Sequence, residues 1–263
     1  MSVTIAKHSS AYWFLSDCWV LIVRSLKHIF KNVDQLLSLV MQPIMFMLLF
    51  RYVFGGAINT GGVSYVNYLM AGIIVQTAAF GASTTAMNVA LDLKRGIVDR
   101  FRSLPMANST VLIGHVTADL VRNVISTVVI ILVGLLVGFR PTASLFEWTE
   151  AVGMLLLFTF AISWMSAVLG LLTRTVEAVQ WISFMVIFPL TFASSAFVPT
   201  TGMPTPLRLF AENQPVTHTI EALRGFMVGT PIGSHAWAAV IWWAVITVIS
   251  IPLCGWLFRR YSR

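Results

Sequence analysis

Six long apolar stretches set the terms for this chain: residues 36–54, 65–91, 116–139, 148–172, 178–197 and 237–258. Each is close to or above the ~20 residues that a helix needs to cross a bilayer. Inside lipid only helices and closed barrels satisfy every backbone hydrogen bond. These runs are continuous rather than alternating, which predicts helices. The expected fold class is therefore an all-α integral membrane protein with six transmembrane helices, forming one domain over residues 1–263. Only 10% of the residues are charged, against about 25% in a soluble domain. The net charge of +7 lies beside apolar spans. It therefore reads as the positive-inside pattern rather than as a nucleic-acid surface, and no nucleic-acid partner is expected.

Placing both termini in the cytoplasm puts Lys7, Arg24, Lys27, Lys31, Lys94, Arg95, Arg100, Arg102, Arg174, Arg259, Arg260 and Arg263 inside. Only Arg51, Arg140, Arg208 and Arg224 then fall on the outer side or its edge. The asymmetry predicts a multi-pass protein of the cell membrane with N- and C-termini cytoplasmic. Trp148 and Trp237 then mark the outer interface, and Trp256 and Tyr261 the inner one.

Two non-spanning segments have their own character. Over residues 11–32, Leu15, Cys18, Trp19, Ile22, Leu26, Ile29 and Phe30 recur at helical spacing, with Arg24, Lys27 and Lys31 on another face. This is a basic amphipathic helix suited to the inner headgroup layer, with packing on a partner protein as the alternative. Residues 198–234 contain Pro199, Pro204, Pro206, Pro215 and Pro231, so no long helix can run through them. Between the prolines the segment stays apolar. It is expected to form short re-entrant helices on the extracellular side, an ordinary surface loop being the alternative.

Ionisable groups inside spans are functional candidates. Asp119 and Arg122 lie three apart near the inner end of the third span, so they share a helix face and pair. A structural pair is the preferred reading over a proton relay, and His115 one turn earlier can join it. Pro43 and Pro189 are expected to kink the first and fifth spans. Met45, Gln76, Phe80, Phe184 and Phe188 are candidates to line a substrate path. Large adaptable apolar groups suit such a path, although any membrane core contains them.

Several chemistries lack their motifs. The four lysines, Lys7, Lys27, Lys31 and Lys94, do not follow a P-loop glycine pattern. Neither a zinc-protease His pair nor a serine nucleophile elbow occurs. Cys18 and Cys254 make no disulfide framework or metal pair. No catalytic residue, metal site or cofactor is assigned on this chain.

The segment "LDLKRGIVDRFRSLPM", residues 91–106, gathers six charges in an otherwise apolar chain. As a helix it carries an apolar stripe of Leu93, Ile97, Phe101 and Leu104. The opposite face holds Lys94, Arg95, Asp99, Arg100 and Arg102, and Pro105 ends it. Mixed charge favours a groove on a partner protein over an anionic membrane.

"KRGIVDRFRSLPMANSTVLIGHVTADLVRNVISTVVIILVGLLVGFRP" together with "AFVPTTGMPTPLRLFAENQPVTHTIEALRG" resembles the ABC type-2 transporter permeases, nearest to the daunorubicin/doxorubicin-resistance branch. The resemblance covers nearly the whole chain. It implies an ABC type-2 (type V) exporter fold, in which two permease subunits, identical or related, each sit on a P-loop ABC ATPase that binds ATP and magnesium. Residues 91–105 then match the coupling helix, covering Arg95, Gly96, Ile97, Asp99, Arg100, Phe101, Arg102, Leu104 and Pro105, with Arg174 in a second, smaller contact. The implied function is outward movement of an amphipathic drug-like, antibiotic or lipid-like molecule from a bacterial cell, in contact with membrane lipid. The alternatives are a glycolipid or polysaccharide exporter of the same fold, or an ion-coupled carrier acting without an ATPase.

Overall fold

The structure is a computed structural model that describes residues 33–58, 60, 62–94, 109–173 and 175–261, together with Val23. The amphipathic segment 11–32, apart from Val23, lies outside the described residues. So do Arg174 and the charged segment from Arg95 to Pro105.

Eight α-helices account for almost all of the described chain, and no strand is found among the described residues. They are α1 (Val33–Leu49), α2 (Tyr65–Lys94), α3 (Ser109–Val137), α4 (Leu145–Leu172), α5 (Val176–Phe192), α6 (Thr205–Asn213), α7 (Pro215–Val228) and α8 (His235–Tyr261). A π-helical turn, Phe50–Phe54, continues α1. Among the described residues four helical stretches are long and apolar enough to cross a membrane: Tyr65–Lys94, Leu112–Val137, Leu145–Leu172 and His235–Arg260. The first and fifth predicted spans appear as shorter apolar helices, Met41–Phe54 and Val176–Phe192.

The fifth span ends earlier than its hydropathy predicts. Pro189 sits inside α5 without ending it, and the helix stops at Ala193, whose N–H bonds the Pro189 carbonyl at 2.9 Å. Ser194, Ser195, Ala196 and Phe197 then form a buried turn against α2. The apolar run therefore continues for another turn's length as a non-helical corner. A Cβ at Gly72 would collide with the Ala196 carbonyl, so glycine is what lets α2 and this corner touch.

α2 is the centre of the bundle, packing against α1, α3, α4, α5 and α7. It is the least apolar of the four long spans and also the most buried. Its Ala78, Ala79, Gly81, Ala82 and Ala86 give little bulk, so neighbouring backbones approach closely. A helix covered on all sides by protein needs no lipid-facing stripe, and its polar residues can be spent on the interior. By contrast, α3 and α8 leave most of their surface uncovered.

Helix starts carry local signals. Ser144 and Glu147 form a capping box at α4: Ser144 Oγ accepts from Glu147 N at 3.4 Å, and Glu147 Oε2 accepts from Ser144 N at 2.6 Å. Thr175 Oγ1 accepts from Ala178 N at 3.2 Å to start α5. Gly229 closes α7 in the left-handed conformation with φ 74°, its N–H bonding Gly225 O at 2.9 Å.

The segment predicted to hold short helices holds two. α6 is largely exposed, tied by Arg208 Nε donating to Glu212 Oε1 at 2.7 Å, with Thr200 Oγ1 donating to the same oxygen at 3.1 Å. The Arg208 guanidinium holds the Glu212 carboxyl below its ordinary range. α7 is embedded among α2, α4, α5 and α8. Trp237 lies at this end of the bundle and Trp256 at the other, both exposed, with the Arg260 guanidinium 5.5 Å from the Trp256 ring centroid.

Candidate functional site

One cavity of about 280 Å³ opens between α1, α2 and α3. α1 contributes Gln42, Pro43 and Phe46. α2 contributes Gln76, Thr77, Phe80, Gly81, Thr84, Met87, Asn88 and Leu91, and α3 contributes Arg122. The α2 residues recur at three- and four-residue spacing, so a single face of the central helix forms the long wall. From Gln76 to Leu91 that wall extends ~22 Å along the helix, on the half of α2 away from α7.

A phenylalanine ladder leaves the top of the cavity. Phe80 lies 6.3 Å from Phe184, Phe184 lies 5.1 Å from Phe188, and Phe188 lies 4.2 Å from Phe192, ring centroid to centroid. Phe192 continues to Phe197 at 5.0 Å, and Phe197 stacks on Phe50 at 4.3 Å. Phe184, Phe188 and Phe192 are four apart on α5, hence on one face. Tyr65 Oη donates to the Phe197 carbonyl at 3.0 Å and pins the far end.

Behind the cavity wall is a buried polar group. Arg122 Nη1 donates to Asp119 Oδ1 at 3.2 Å and to Thr84 Oγ1 on α2. Asp119 is fully buried, and its Oδ2 accepts from Ser163 Oγ on α4. The Asp119–Arg122 pair thereby joins three helices, α4 through the carboxylate and α2 through the guanidinium. His115 does not join them: its Nε2 meets Asp92 Oδ2 at 2.9 Å, linking the end of α2 to the start of α3. The third helix begins at Ser109, before its apolar run, and sets His115 beside the last turn of α2.

At the opposite end, Arg224 of α7 is buried. Its Nε donates to Tyr68 O at 3.2 Å, Nη2 to Ser195 O at 2.7 Å, and Nη1 to Glu221 Oε1 at 2.6 Å. The guanidinium also stacks 3.6 Å from the Tyr68 ring centroid. Gln214 Nε2 donates to Leu190 O at 2.7 Å. Together these bonds fasten α7 to α2 and to the corner after α5, closing the bundle beyond Phe197.

Residues 16–228 match the ABC-2 type transporter family. The chain belongs to that family. It is 33% identical over 196 residues to a daunorubicin resistance ABC transporter permease protein of Streptomyces coeruleorubidus, covering 74% of this chain and 69% of the relative. It is 30% identical over 222 residues to the probable doxorubicin resistance ABC transporter permease protein of Mycobacterium tuberculosis, covering 80% of this chain and 77% of the relative. As an ABC-2 permease it is the membrane subunit of an ABC transporter, a family that works with an ABC ATPase.

Within this permease, the residues expected on a substrate path separate into groups. Gln76 and Phe80 line the cavity, while Phe184 and Phe188 stand in the ladder that leaves it. Met45 is not among the lining residues and is exposed on α1. Asp119 and Arg122 pair as expected, and Arg122 also faces the cavity, which a purely structural reading did not anticipate. Phe46, Phe192 and Phe197 were not singled out in the sequence. The spacing Phe46–Phe50–Phe54 and Phe184–Phe188–Phe192 is the signal that could have found the ladder. Arg95, Gly96, Ile97, Asp99, Arg100, Phe101, Arg102, Leu104, Pro105 and Arg174 lie outside the described residues.

Proposed function

We propose that this permease exports an amphipathic drug-like, antibiotic or lipid-like molecule from a bacterial cell, driven by ATP bound with magnesium in a partner ABC ATPase. The observation that carries the reading is the continuity of the α1–α2–α3 cavity with the phenylalanine ladder. A cavity with one polar wall and aromatic sides suits a cargo with one polar end. The ladder offers successive π-faces, so an apolar body can be passed along without reaching water. The names of its drug-resistance relatives support the same cargo class.

In this reading all six apolar stretches cross the bilayer, and both termini face the cytoplasm. The cavity opens to the inner leaflet, while the ladder runs outward to α7. The helix over 91–105 couples the ATPase to the spans through Arg95, Gly96, Ile97, Asp99, Arg100, Phe101, Arg102, Leu104 and Pro105, with Arg174 beside it. The 2.9 Å bond between Asp92 and His115 supports this role, because it ties together the two helices that flank the charged segment. A second permease subunit, a copy or a relative, completes the transporter. Residues 11–32 lie in the inner headgroup layer. A proton-coupled carrier is disfavoured, because Asp119 is fully buried and turned to Ser163 and Arg122 rather than to the cavity.

The test is accumulation of a fluorescent amphipathic cargo, 11-(dansylamino)undecanoic acid, in cells that express the chain with and without its co-purifying P-loop ATPase. Lower accumulation should require both polypeptides. Charge reversal at both Asp99 and Arg100 should abolish the effect while the permease still inserts. Equal protection without the ATPase would overturn the reading.

A further inference from the structure

We propose that Arg122 selects the polar end of the cargo, favouring amphiphiles headed by a carboxylate or phosphate over those headed by an amine. The inference rests on reading the α1–α2–α3 cavity as the cargo site. Among the described residues that line the cavity, Arg122 is the only ionisable side chain, and none is an aspartate or glutamate. Its counter-ion is behind the wall: Asp119 is fully buried, whereas the Arg122 side chain keeps 11% of its surface open. Arg122 spends Nη1 on Asp119 and Thr84. Its Nε and Nη2 make no hydrogen bond to the described residues. A guanidinium held from behind in this way presents its remaining N–H groups in a fixed orientation, the geometry that binds carboxylate or phosphate oxygens side-on.

A second donor points the same way. Gln76 lines the cavity, is 4% exposed, and its Nε2 has no hydrogen-bond partner among the described residues. An unpaired buried donor is costly, and an acceptor on the cargo would relieve that cost. Thr77, by contrast, already donates its hydroxyl proton to Ile73 O at 2.7 Å. The cavity thus offers a positive charge beside Thr84 and an unpaired donor about 12 Å further along the same wall, with Phe46, Phe80 and Leu91 for the apolar body.

The experiment uses the full-length permease in nanodiscs of zwitterionic lipid, with 11-(dansylamino)undecanoic acid as fluorescent probe. Dodecanoate, dodecyl phosphate, dodecanol and dodecylamine compete for it. Dodecanoate or dodecyl phosphate should displace the probe about 10-fold better than dodecylamine, the size of a charge-assisted hydrogen bond. The ratio between those two anions identifies which head the site prefers. Arg122→Gln should erase the advantage of the anions and leave dodecanol unchanged, whereas Arg122→Lys should retain part of it. Asp119→Asn removes the counter-charge, so it should tighten dodecanoate, the opposite of what misfolding would do. Equal competition by all four, with Phe80→Ala weakening all four together, would overturn the role of Arg122 while leaving the cavity as the cargo site. If Phe80→Ala weakens none of them, the cavity itself is not the site, and the inference falls with it.

Discussion

Arg224 shows how one residue closes the far end of the bundle. By sequence it is an outer-edge cation, one of four that break the positive-inside pattern. In the fold it is buried and joins three pieces of chain: α7 through Glu221, α2 through the Tyr68 carbonyl and ring, and the corner after α5 through the Ser195 carbonyl. Lysine has the charge but not the fork, so it cannot reach both carbonyls from one position. Arg224→Lys should lower stability by about 2–4 kcal/mol, from the loss of one or two charge-assisted bonds, and loosen α7. Thermal unfolding of the purified permease in detergent measures it. An unchanged transition would mean that the clamp contributes nothing. Such a role is not legible in one dimension, because its acceptors are backbone carbonyls 156 and 29 residues away. Asp119 and Arg122 were legible as a pair because i,i+3 spacing on a helix requires no tertiary knowledge. That Arg122 also faces a cavity depends on where α1 and α2 lie.

Helices were legible in proportion to how far apolar length alone decides them. The third, fourth and sixth spans were found to within a few residues, apart from an early start of α3. The fifth came out shorter because its hydropathy continues through a buried, non-helical corner. Composition cannot distinguish a buried turn from a last helical turn. The centrality of α2 was visible only as a mild weakness in its apolarity, which burial by protein explains. At this scale, the junction of α7 and α8 makes a pH prediction. His218 Nδ1 lies 2.8 Å from His235 Nδ1, so one ring donates and the other accepts. Burial first, and the neighbouring His235 second, hold His218 below its ordinary value of 6.5. A base whose folded pKa is depressed favours folding in its neutral form. The contribution is present above 6.5, and it is lost as pH falls below that value toward the lower folded pKa. Hydrogen exchange over Pro215–Val228 should therefore accelerate as pH drops from 7.5 to about 5.5. His218→Gln should flatten that dependence. An identical profile in both proteins would contradict it.

Across the whole molecule, an aromatic ladder runs between a cavity at one end and a clamp at the other. Its chain lacks a P-loop motif, and its family supplies energy from an ABC ATPase. The class of the fold and the family were readable from six apolar runs and the motifs around residues 91–106 and 196–225. The cavity and its ladder were not, because they are assembled from faces of α1, α2, α3 and α5 that are far apart in sequence. The most direct measurement is export of a fluorescent amphipathic cargo from vesicles holding the permease with its ATPase. Export should need ATP. The double variant Phe80→Ala/Phe188→Ala should slow it about 10-fold, the equivalent of two lost aromatic contacts, with ATP hydrolysis retained. Trp237→Ala, on the exposed surface of α8, should export at the wild-type rate. Export without the ATPase, or wild-type export by the double variant, would contradict the account.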